Sequence, residues 1–257
     1  MVVGRRVLRL GEVTSTNELA KSLGREGEEE GLVVLAKSQT TGKGRMGRGW
    51  SSPEGGLYLS ILLRPRMRSA DLLKMTVFSC VPVAQAIEEA CGIDVQLKWP
   101  NDLMVQGKKV GGILVEGVSK GAYLDFIVLG IGLNVNSMPE GIREPEATSL
   151  KALLGREADM DALLESLLLR LRSFYKEVKE GDLNEDEYVH RSCTLGRCIE
   201  ARVGKETFRG KALYLAPDGA LVIRSDEGLV LRLSWVNETS IRTTNSEELD
   251  GITLRKD

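Results

Sequence analysis

The chain has 257 residues, 42% of them hydrophobic, which is enough to bury a sizeable core in one large domain or in a medium and a small one. Its 35 basic and 37 acidic residues nearly cancel, so the overall charge gives no argument for binding nucleic acid or an anionic membrane. The first residues lack the apolar segment of a signal peptide, and we find no apolar run of membrane-spanning length, which indicates a cytoplasmic protein.

Hydrophobic periodicity and turn residues predict the elements of the first third of the chain. In chain order these are a strand at 6–13, a helix after a capping box of Ser15 and Glu18, strands at 32–37 and 56–64, and a long helix at 70–90. The glycine-rich segment between the second and third strands is predicted as a loop.

Short β-type runs interrupted by glycine dominate the middle of the chain. They lie at 95–100, 102–112 (a hairpin), 112–118 and 125–136, and a helical pattern follows at 163–178. These runs predict an antiparallel or mixed sheet, and an acidic stretch ends the first domain, 1–187. Beyond it, short strands with a turn at 217–219 predict a small β-barrel domain at 188–245, followed by a polar tail at 246–257.

The cysteines and the single histidine do not indicate a metal site or a catalytic triad. Cys80, Cys91, Cys193 and Cys198 show no CxxC pairing, which favours structural or incidental roles. The single histidine, His190, lies in a charged segment and is predicted at the surface, which removes histidine-rich metal sites and histidine-based triads.

The segment 37–50 is a candidate anion receptor because it carries four cations and no acid. Its glycines let backbone N–H groups approach a ligand, while Lys43, Arg45 and Arg48 can neutralise phosphate charge. It matches neither the P-loop nor the dinucleotide fingerprint. A solvated basic loop that touches RNA is the alternative interpretation.

Three further clusters contain residues suited to ligand binding. KWPND (98–102) ends in Asp102, which can help to hold Mg²⁺ near phosphate, although the segment also suits a simple turn. Lys109 precedes two glycines that a small ligand can approach closely, or it is an incidental surface lysine. GIGLN (130–134) ends an apolar strand with two glycines and an amide, a pattern that a bulge also explains.

Together these segments resemble the biotin protein ligases. The matching motifs are the Ser15–Thr16–Asn17 triplet, Gln39 followed by the loop 42–48, KWPND, the turn 109–112 leading into GILVE, and GIGLN, and they occur in the family's order. The resemblance is strong over residues 7–136 and weak in the C-terminal β region. It implies an α+β fold, in which a mixed or antiparallel sheet flanked by helices forms a class II synthetase-like catalytic domain, with a small SH3-like β-barrel after it.

The resemblance also implies a two-step reaction with ATP, Mg²⁺ and biotin. The biotin carboxylate attacks the α-phosphate to give biotinyl-5′-AMP, and a lysine of a biotin carboxyl carrier protein then takes the biotin. We expect no membrane partner, and monomer and homodimer both stay open. Because Ser15 already belongs to a matching motif, we also expect no DNA-binding helix-turn-helix domain and therefore no operator binding.

Site residues follow from position within the matching motifs. Arg45 and Lys109 are the expected catalytic cations, and Asp102 is the expected Mg²⁺ ligand. Biotin is assigned to Ser15, Thr16, Asn17, Gln39, Gly42, Lys43, Gly44, Arg45, Lys109, Gly112 and Gly130. ATP is assigned to Arg45, Arg48, Trp50, Asn101, Asp102, Lys109 and Asn134.

Two positions depart from the family pattern. The loop reads GKGR where GRGR is usual, so Lys43 lacks the planar fork of an arginine. Residues 234–238 read SWVNE where many relatives have a compact Ser-Gly-Glu turn, and no role is transferred there.

Two other functions stay open on the sequence. A lipoate protein ligase has a similar fold and adenylation chemistry, but its arginine-rich, triple-glycine loop is absent here. A nucleic-acid-binding module built from the basic loop and the small barrel is the alternative from a different class, and the balanced charge argues against it.

Overall fold

A seven-stranded mixed sheet organises the first part of the protein. The computed structural model describes residues 2–138, 147–203, 205–234 and 240–243, and the chain divides into two compact units, Met1–Arg191 and Ser192–Asp257. The predicted polar tail at 246–257 and the atypical positions 235–238 lie outside the described residues.

The described residues of the first unit form thirteen strands and α-helices. They are β1 (Arg6–Val13), α1 (Thr16–Arg25), β2 (Leu32–Gln39), β3 (Leu57–Leu63), α2 (Leu72–Phe78), α3 (Cys80–Cys91), β4 (Gln96–Lys98), β5 (Asp102–Val105), β6 (Lys108–Lys120), β7 (Tyr123–Leu133), α4 (Leu150–Leu154), α5 (Met160–Glu180) and α6 (Asp186–Arg191). The sequence patterns address all of these but α4 and α6. The strand order is β1-β2-β3-β7-β6-β5-β4. Among the described strands of this sheet, only β1 and β2 pair in parallel, which requires the crossover that α1 supplies, so the predicted mixed sheet flanked by helices is confirmed.

Helices cover the sheet. Every residue of β3 is buried, as expected for a strand that packs on both faces. On one face, Ala20 of α1 packs with Leu32, Leu62, Phe126 and Val128 in a single apolar cluster. Elsewhere α2 packs against β6, and α3 packs against β4, β5 and α5.

The predicted long helix at 70–90 is wrong in one respect, because two helices meet at Ser79. Pro82 explains the break. A proline has no N–H to donate to the carbonyl four residues earlier, here that of Phe78, and its ring clashes with that carbonyl. Pro82 is tolerated because it stands in the first turn of α3, where N–H groups lack helical partners.

The second half of the run predicted at 102–112 and the run predicted at 112–118 form one continuous strand in the structure. β5 turns through Gln106 and Gly107, both at positive φ, and β6 then continues unbroken from Lys108 to Lys120. The glycines inside β6 are sites of close packing, since a Cβ on Gly111 would lie 2.4 Å from Cδ2 of Leu133.

The stretch Ser69–Cys91 does have the length and apolar composition of a membrane span, contrary to the sequence expectation. Within it, 72% of the most apolar window is buried inside the protein. Its side chains therefore form part of the protein core.

The described residues of the second unit form an antiparallel sheet of five strands. They are β8 (Cys198–Val203), β9 (Glu206–Leu215), β10 (Leu221–Ser225), β11 (Val230–Leu233) and β12 (Ser240–Thr243), in the order β11-β10-β9-β8-β12. The predicted turn is present, with the N–H of Gly219 donating to the carbonyl of Ala216 over 2.8 Å. The SH3-like barrel stays a prediction.

Gly24 provides a test of the packing between α1 and the sheet. Replacing a glycine inside a helix by alanine usually stabilises the folded protein by about 0.5–1 kcal/mol. At Gly24, however, a Cβ would lie 2.8 Å from Phe126 and 2.9 Å from Leu62. We expect Gly24→Ala to lower the free energy of unfolding in urea by about 1–3 kcal/mol, as overpacking does. Ser22→Ala, at an exposed position of the same helix, should change it by less than about 0.5 kcal/mol, and a stabilised Gly24→Ala variant would contradict the proposed contact.

Candidate active site

On the α1-facing side of the sheet, the large side chains of β7 give way to glycine along the strand. Alternate residues share a face, so the row containing Leu62 and Val128 is followed by one containing Ser60 and Gly130, and then by one containing Gly132. On the neighbouring strand Gly112 pairs with Gly132. Gly112, Gly130 and Gly132 therefore form a glycine floor where the apolar core ends.

A connected set of neutral polar groups stands at one end of this floor, and we call Thr16, Asn17, Gln39, Ser52 and Ser60 the polar row. The Thr16 N–H donates to Gln39 Oε1 over 2.9 Å, and Gln39 Nε2 donates to Ser52 Oγ over 2.8 Å. Ser60 Oγ lies 2.8 Å from Thr16 Oγ1 and 2.5 Å from Asn17 Oδ1. These hydrogen bonds hold the row in a defined geometry.

The start of α1 positions three of the predicted biotin residues. Ser15 is the N-cap and its hydroxyl accepts the N–H of Glu18 at 3.5 Å, which is one half of the predicted capping box. The Glu18 carboxylate instead accepts hydrogen bonds from Lys21 and Lys43. As a result Thr16 and Asn17 lie in the first turn of the helix, with both side chains directed into the polar row.

The basic loop has an internally hydrogen-bonded conformation. The N–H of Gly44 donates to the carbonyl of Arg48 over 2.7 Å, and the N–H of Trp50 donates to the carbonyl of Gly42 over 2.8 Å. Met46 adopts a left-handed conformation. Gly42 is required by close contact, because a Cβ there would lie 2.5 Å from the carbonyl oxygen of Trp50.

Arg45 turns from the loop into the site. One of its terminal nitrogens donates to Asn101 Oδ1 over 3.3 Å. Burial lowers the pKa of Arg45, the charge of Asp102 opposes that change, and the nearby Arg48 adds to it. Arg48 itself is exposed. The loop thus presents one half-buried guanidinium to the site.

Lys43 has a different partner. It pairs with Glu18, and hydrogen bonds from Lys21 and then Lys43 lower the pKa of Glu18 to about 2. Lys43 is about half exposed, with 47% of its side-chain surface accessible, so its ion pair is screened by solvent. In this structure Lys43 thus contacts a carboxylate of the protein itself, and its predicted contact with an anionic ligand stays a prediction.

Lys109 stands at the other end of the glycine floor. Its ammonium pairs with Asp102 and lies 5.2 Å from the ring centroid of Trp50. Its carbonyl accepts the N–H of Thr148 over 2.9 Å, so strand pairing fixes the backbone that carries the charge. Lys109 is therefore a rigidly placed cation.

Trp50 covers the glycine floor. A Cβ on Gly132 would lie 2.6 Å from the indole Nε1, and one on Gly112 would lie 3.5 Å from the same ring system. Among the described residues, this buried Nε1 has no hydrogen-bond partner. Buried indole N–H groups usually find an acceptor, so Trp50 has an unused donor directed at the floor.

The side-chain amides of Asn101 and Asn134 both donate hydrogen bonds to backbone carbonyls beside the site. Asn101 Nδ2 donates to the carbonyl of Ile113 over 2.7 Å, and Asn134 Nδ2 donates to the carbonyl of Thr148 over 3.0 Å. These contacts explain the burial of both amides without a ligand.

Within the part of the chain that the structure describes, no three His, Cys, Asp or Glu side chains group together as a metal cage. Asp102 is the one predicted ligand. A single carboxylate fits Mg²⁺ that takes its other oxygen ligands from phosphate and water. The site therefore suits Mg²⁺ brought with a nucleotide.

Sequence reasoning missed four residues of this region, namely Lys21, Ser52, Ser60 and Glu116. Glu116 accepts from Asn17 Nδ2 over 2.8 Å and from Lys21 Nζ over 2.7 Å. The sequence pattern could have indicated two of the four residues. Ser60 is a hydroxyl residue inside the apolar strand β3, and Glu116 is a charged residue directly after the apolar run Ile113–Val115. Both are polar residues on strands that are otherwise rich in apolar side chains.

Comparison with known proteins identifies the family. Residues 10–134 match the model of the biotin/lipoate A/B protein ligase family. The chain is 34% identical to the bifunctional ligase/repressor BirA of Bacillus subtilis over 89% of its own length and 72% of that protein. It is 30% identical to the biotin–[acetyl-CoA-carboxylase] ligase of Paracoccus denitrificans over 85% of its length and 94% of that protein.

The fold agrees with these matches. The structure of a biotin protein ligase from Aquifex aeolicus in complex with biotin and ATP superposes with a TM-score of 0.78 at 33% identity. The match covers 93% of this chain and 100% of the other. The chain therefore belongs to the biotin protein ligases of the biotin/lipoate A/B protein ligase family.

Proposed function

We propose that this protein is an ATP-dependent ligase that forms biotinyl-5′-AMP and transfers the biotin to a lysine of a biotin carboxyl carrier protein. One observation carries the proposal: a row of neutral hydrogen-bonding groups and a pair of cations, Arg45 and Lys109, stand at opposite ends of one glycine floor. Biotin has the same order of groups, with a neutral urea at one end and a carboxylate at the other.

The polar row is suited to the urea. The side chains of Thr16, Asn17, Gln39 and Ser60 carry amide and hydroxyl groups but no net charge. Neutral partners satisfy the N–H and C=O groups of a urea without burying an unpaired charge, which would cost far more. The glycine floor lets the ring and its hydrocarbon chain lie close to the backbone of β6 and β7.

The cations are suited to the reacting end. In the first step a carboxylate oxygen of biotin bonds to the α-phosphorus of ATP and the bond to pyrophosphate breaks. Lys109 and Arg45 then face the oxygens on which negative charge develops. In the second step the lysine amine of the carrier bonds to the acyl carbon and AMP leaves.

Several residues would serve the nucleotide. Asp102 would hold Mg²⁺, which supplies charge neutralisation at the phosphates when bound. Trp50, with its unused indole donor, and Arg48, whose charge lies near that of Arg45, are candidates for contacts with ATP. We infer a cytoplasmic location because carboxylase carriers and ATP are available there.

Substrate choice is the direct test of the function. We expect pyrophosphate release with ATP and Mg²⁺ to depend on biotin and to stay at background with lipoate, because the dithiolane ring of lipoate has no urea to use the polar row. Release with lipoate but not biotin would reject the proposal. A steep salt dependence of oligonucleotide binding would favour the nucleic-acid module instead.

Arg45 and Lys109 should contribute to different stages. We expect Lys109→Ala to slow single-turnover adenylate synthesis by about one to two decades, because a rigid charge beside the reacting oxygens is lost. Arg45→Gly should mainly let biotinyl-AMP escape, because Arg45 stands on the loop, and a chase would score free adenylate and labelling of bystander lysines. Lys108→Ala is the matched control, since Lys108 precedes Lys109 on the other face of the strand.

Two outcomes would contradict the separate roles of Arg45 and Lys109. Abolished synthesis in Arg45→Gly, or an unchanged synthesis rate with increased leakage in Lys109→Ala, would show that this division of roles is wrong.

Gly130 tests the glycine floor. A Cβ at this position would lie 2.1 Å from Asn17 Oδ1, so Gly130→Ala must displace a member of the polar row. We expect biotin affinity, measured by titration calorimetry, to fall by about ten-fold or more, the size expected when a hydrogen bond is lost and a buried group is left unpaired. Gly11→Ala in β1, whose Cβ would meet nothing within 4 Å, should bind as the wild type does. Equal affinity of both variants would exclude the floor from the biotin site.

A further inference from the structure

Glu116 is a carboxylate next to the polar row with no assigned role in catalysis. Its Oε2 accepts from Asn17 Nδ2 over 2.8 Å and its Oε1 accepts from Lys21 Nζ over 2.7 Å. Its side chain is 28% exposed and that of Lys21 is 12% exposed, so the pair is largely withdrawn from water. The carboxylate contacts the side of Asn17 that faces away from the rest of the row.

An ionised carboxylate only accepts hydrogen bonds, and this fixes the orientation of Asn17. The amide nitrogen must face Glu116, so the amide oxygen must face Ser60. The reverse orientation would place two acceptors against each other with no hydrogen between them, which leaves buried groups unsatisfied. The second N–H of Asn17 is directed at the carbonyl of Leu114, 3.4 Å from Nδ2.

The orientation of Asn17 then decides the direction of the next hydrogen bonds. A hydroxyl has one hydrogen, and that of Ser60 is needed by Asn17 Oδ1, 2.5 Å away. The contact of 2.8 Å between Ser60 and Thr16 must therefore use the hydrogen of Thr16. Because the hydroxyl hydrogen of Thr16 is then given to Ser60, Thr16 Oγ1 does not donate to Gln39 Oε1, 3.1 Å away. Gln39 Oε1 accepts from the backbone N–H of Thr16 and keeps acceptor capacity.

We propose that Glu116 is a positioning residue that sets the donor and acceptor direction of the polar row, so that the row presents the acceptors Asn17 Oδ1 and Gln39 Oε1 to the N–H groups of the ligand. This inference rests on the proposed function, because it identifies the ligand as a urea with free N–H groups. Lys21 balances the charge of Glu116. Burial lowers the pKa of Lys21, but its hydrogen bonds to Glu116 and Glu18 outweigh that effect and raise it.

Glu116→Gln separates this role from a merely structural one. Glutamine has nearly the same size and still accepts from Lys21, but its amide also donates, so Asn17 is free to adopt either orientation. We expect the Kd and KM for biotin to rise about ten-fold or more, with kcat within about three-fold of wild type. Glu116→Asp keeps an acceptor-only group and should retain more affinity than Glu116→Gln.

A ligand probe gives a second readout. Biotin methylated on a urea nitrogen lacks one N–H, so the wild type should bind it much more weakly than biotin. In Glu116→Gln this discrimination should shrink by about ten-fold, because the row no longer has a fixed direction. Glu12→Gln, which removes an exposed carboxylate from β1, is the matched control and should keep wild-type affinity and discrimination.

The outcomes are distinguishable. Unchanged biotin affinity and unchanged discrimination in Glu116→Gln, with a wild type that binds biotin, would overturn the inference and leave the proposed function standing. A wild type that fails to bind biotin would overturn both. Unfolding of both Glu116 variants at the assay temperature, measured by circular dichroism, would assign Glu116 a structural role and overturn the inference alone.

Discussion

The register of β7 between β3 and β6 is the constraint on which the site depends. It places Ser60, Gly130 and Leu114 side by side, and two residues further along it places Gly132 beside Gly112. A slip of one residue would direct these positions to the opposite face of the sheet and would put apolar side chains in their place. The large residues of the same face hold that register, because they are buried against α1.

Charge is arranged around the site in pairs. Lys109 pairs with Asp102, Lys43 with Glu18, and Lys21 with both Glu18 and Glu116. Paired charges avoid the cost of burying an isolated ion. Burial lowers the pKa of Arg45, and the charge of the nearby Asp102 opposes that change.

The predictions from sequence succeeded where the signal is local. Alternation and periodicity located β1, α1, β2, β3 and the 163–178 region of α5, because side-chain periods of 2 and 3.6 survive in the sequence of any amphipathic element. Errors arose where glycine and proline act through tertiary contacts. The glycines of β6 resemble turn residues in the sequence although they allow close packing, and Pro82 breaks an otherwise continuous helical pattern at Ser79.

The sequence by itself determined the family and the chemical groups of the site, because motifs such as Ser15–Thr16–Asn17 and KWPND retain their residue types and order. Only the tertiary structure decided which of these groups touch. Asn17 and Glu116 are 99 positions apart, and Ser60 and Thr16 are 44 apart, yet each pair forms a hydrogen bond. Partners so distant are set by strand register and helix docking, which depend on the packing of the whole core and leave no local pattern in the chain.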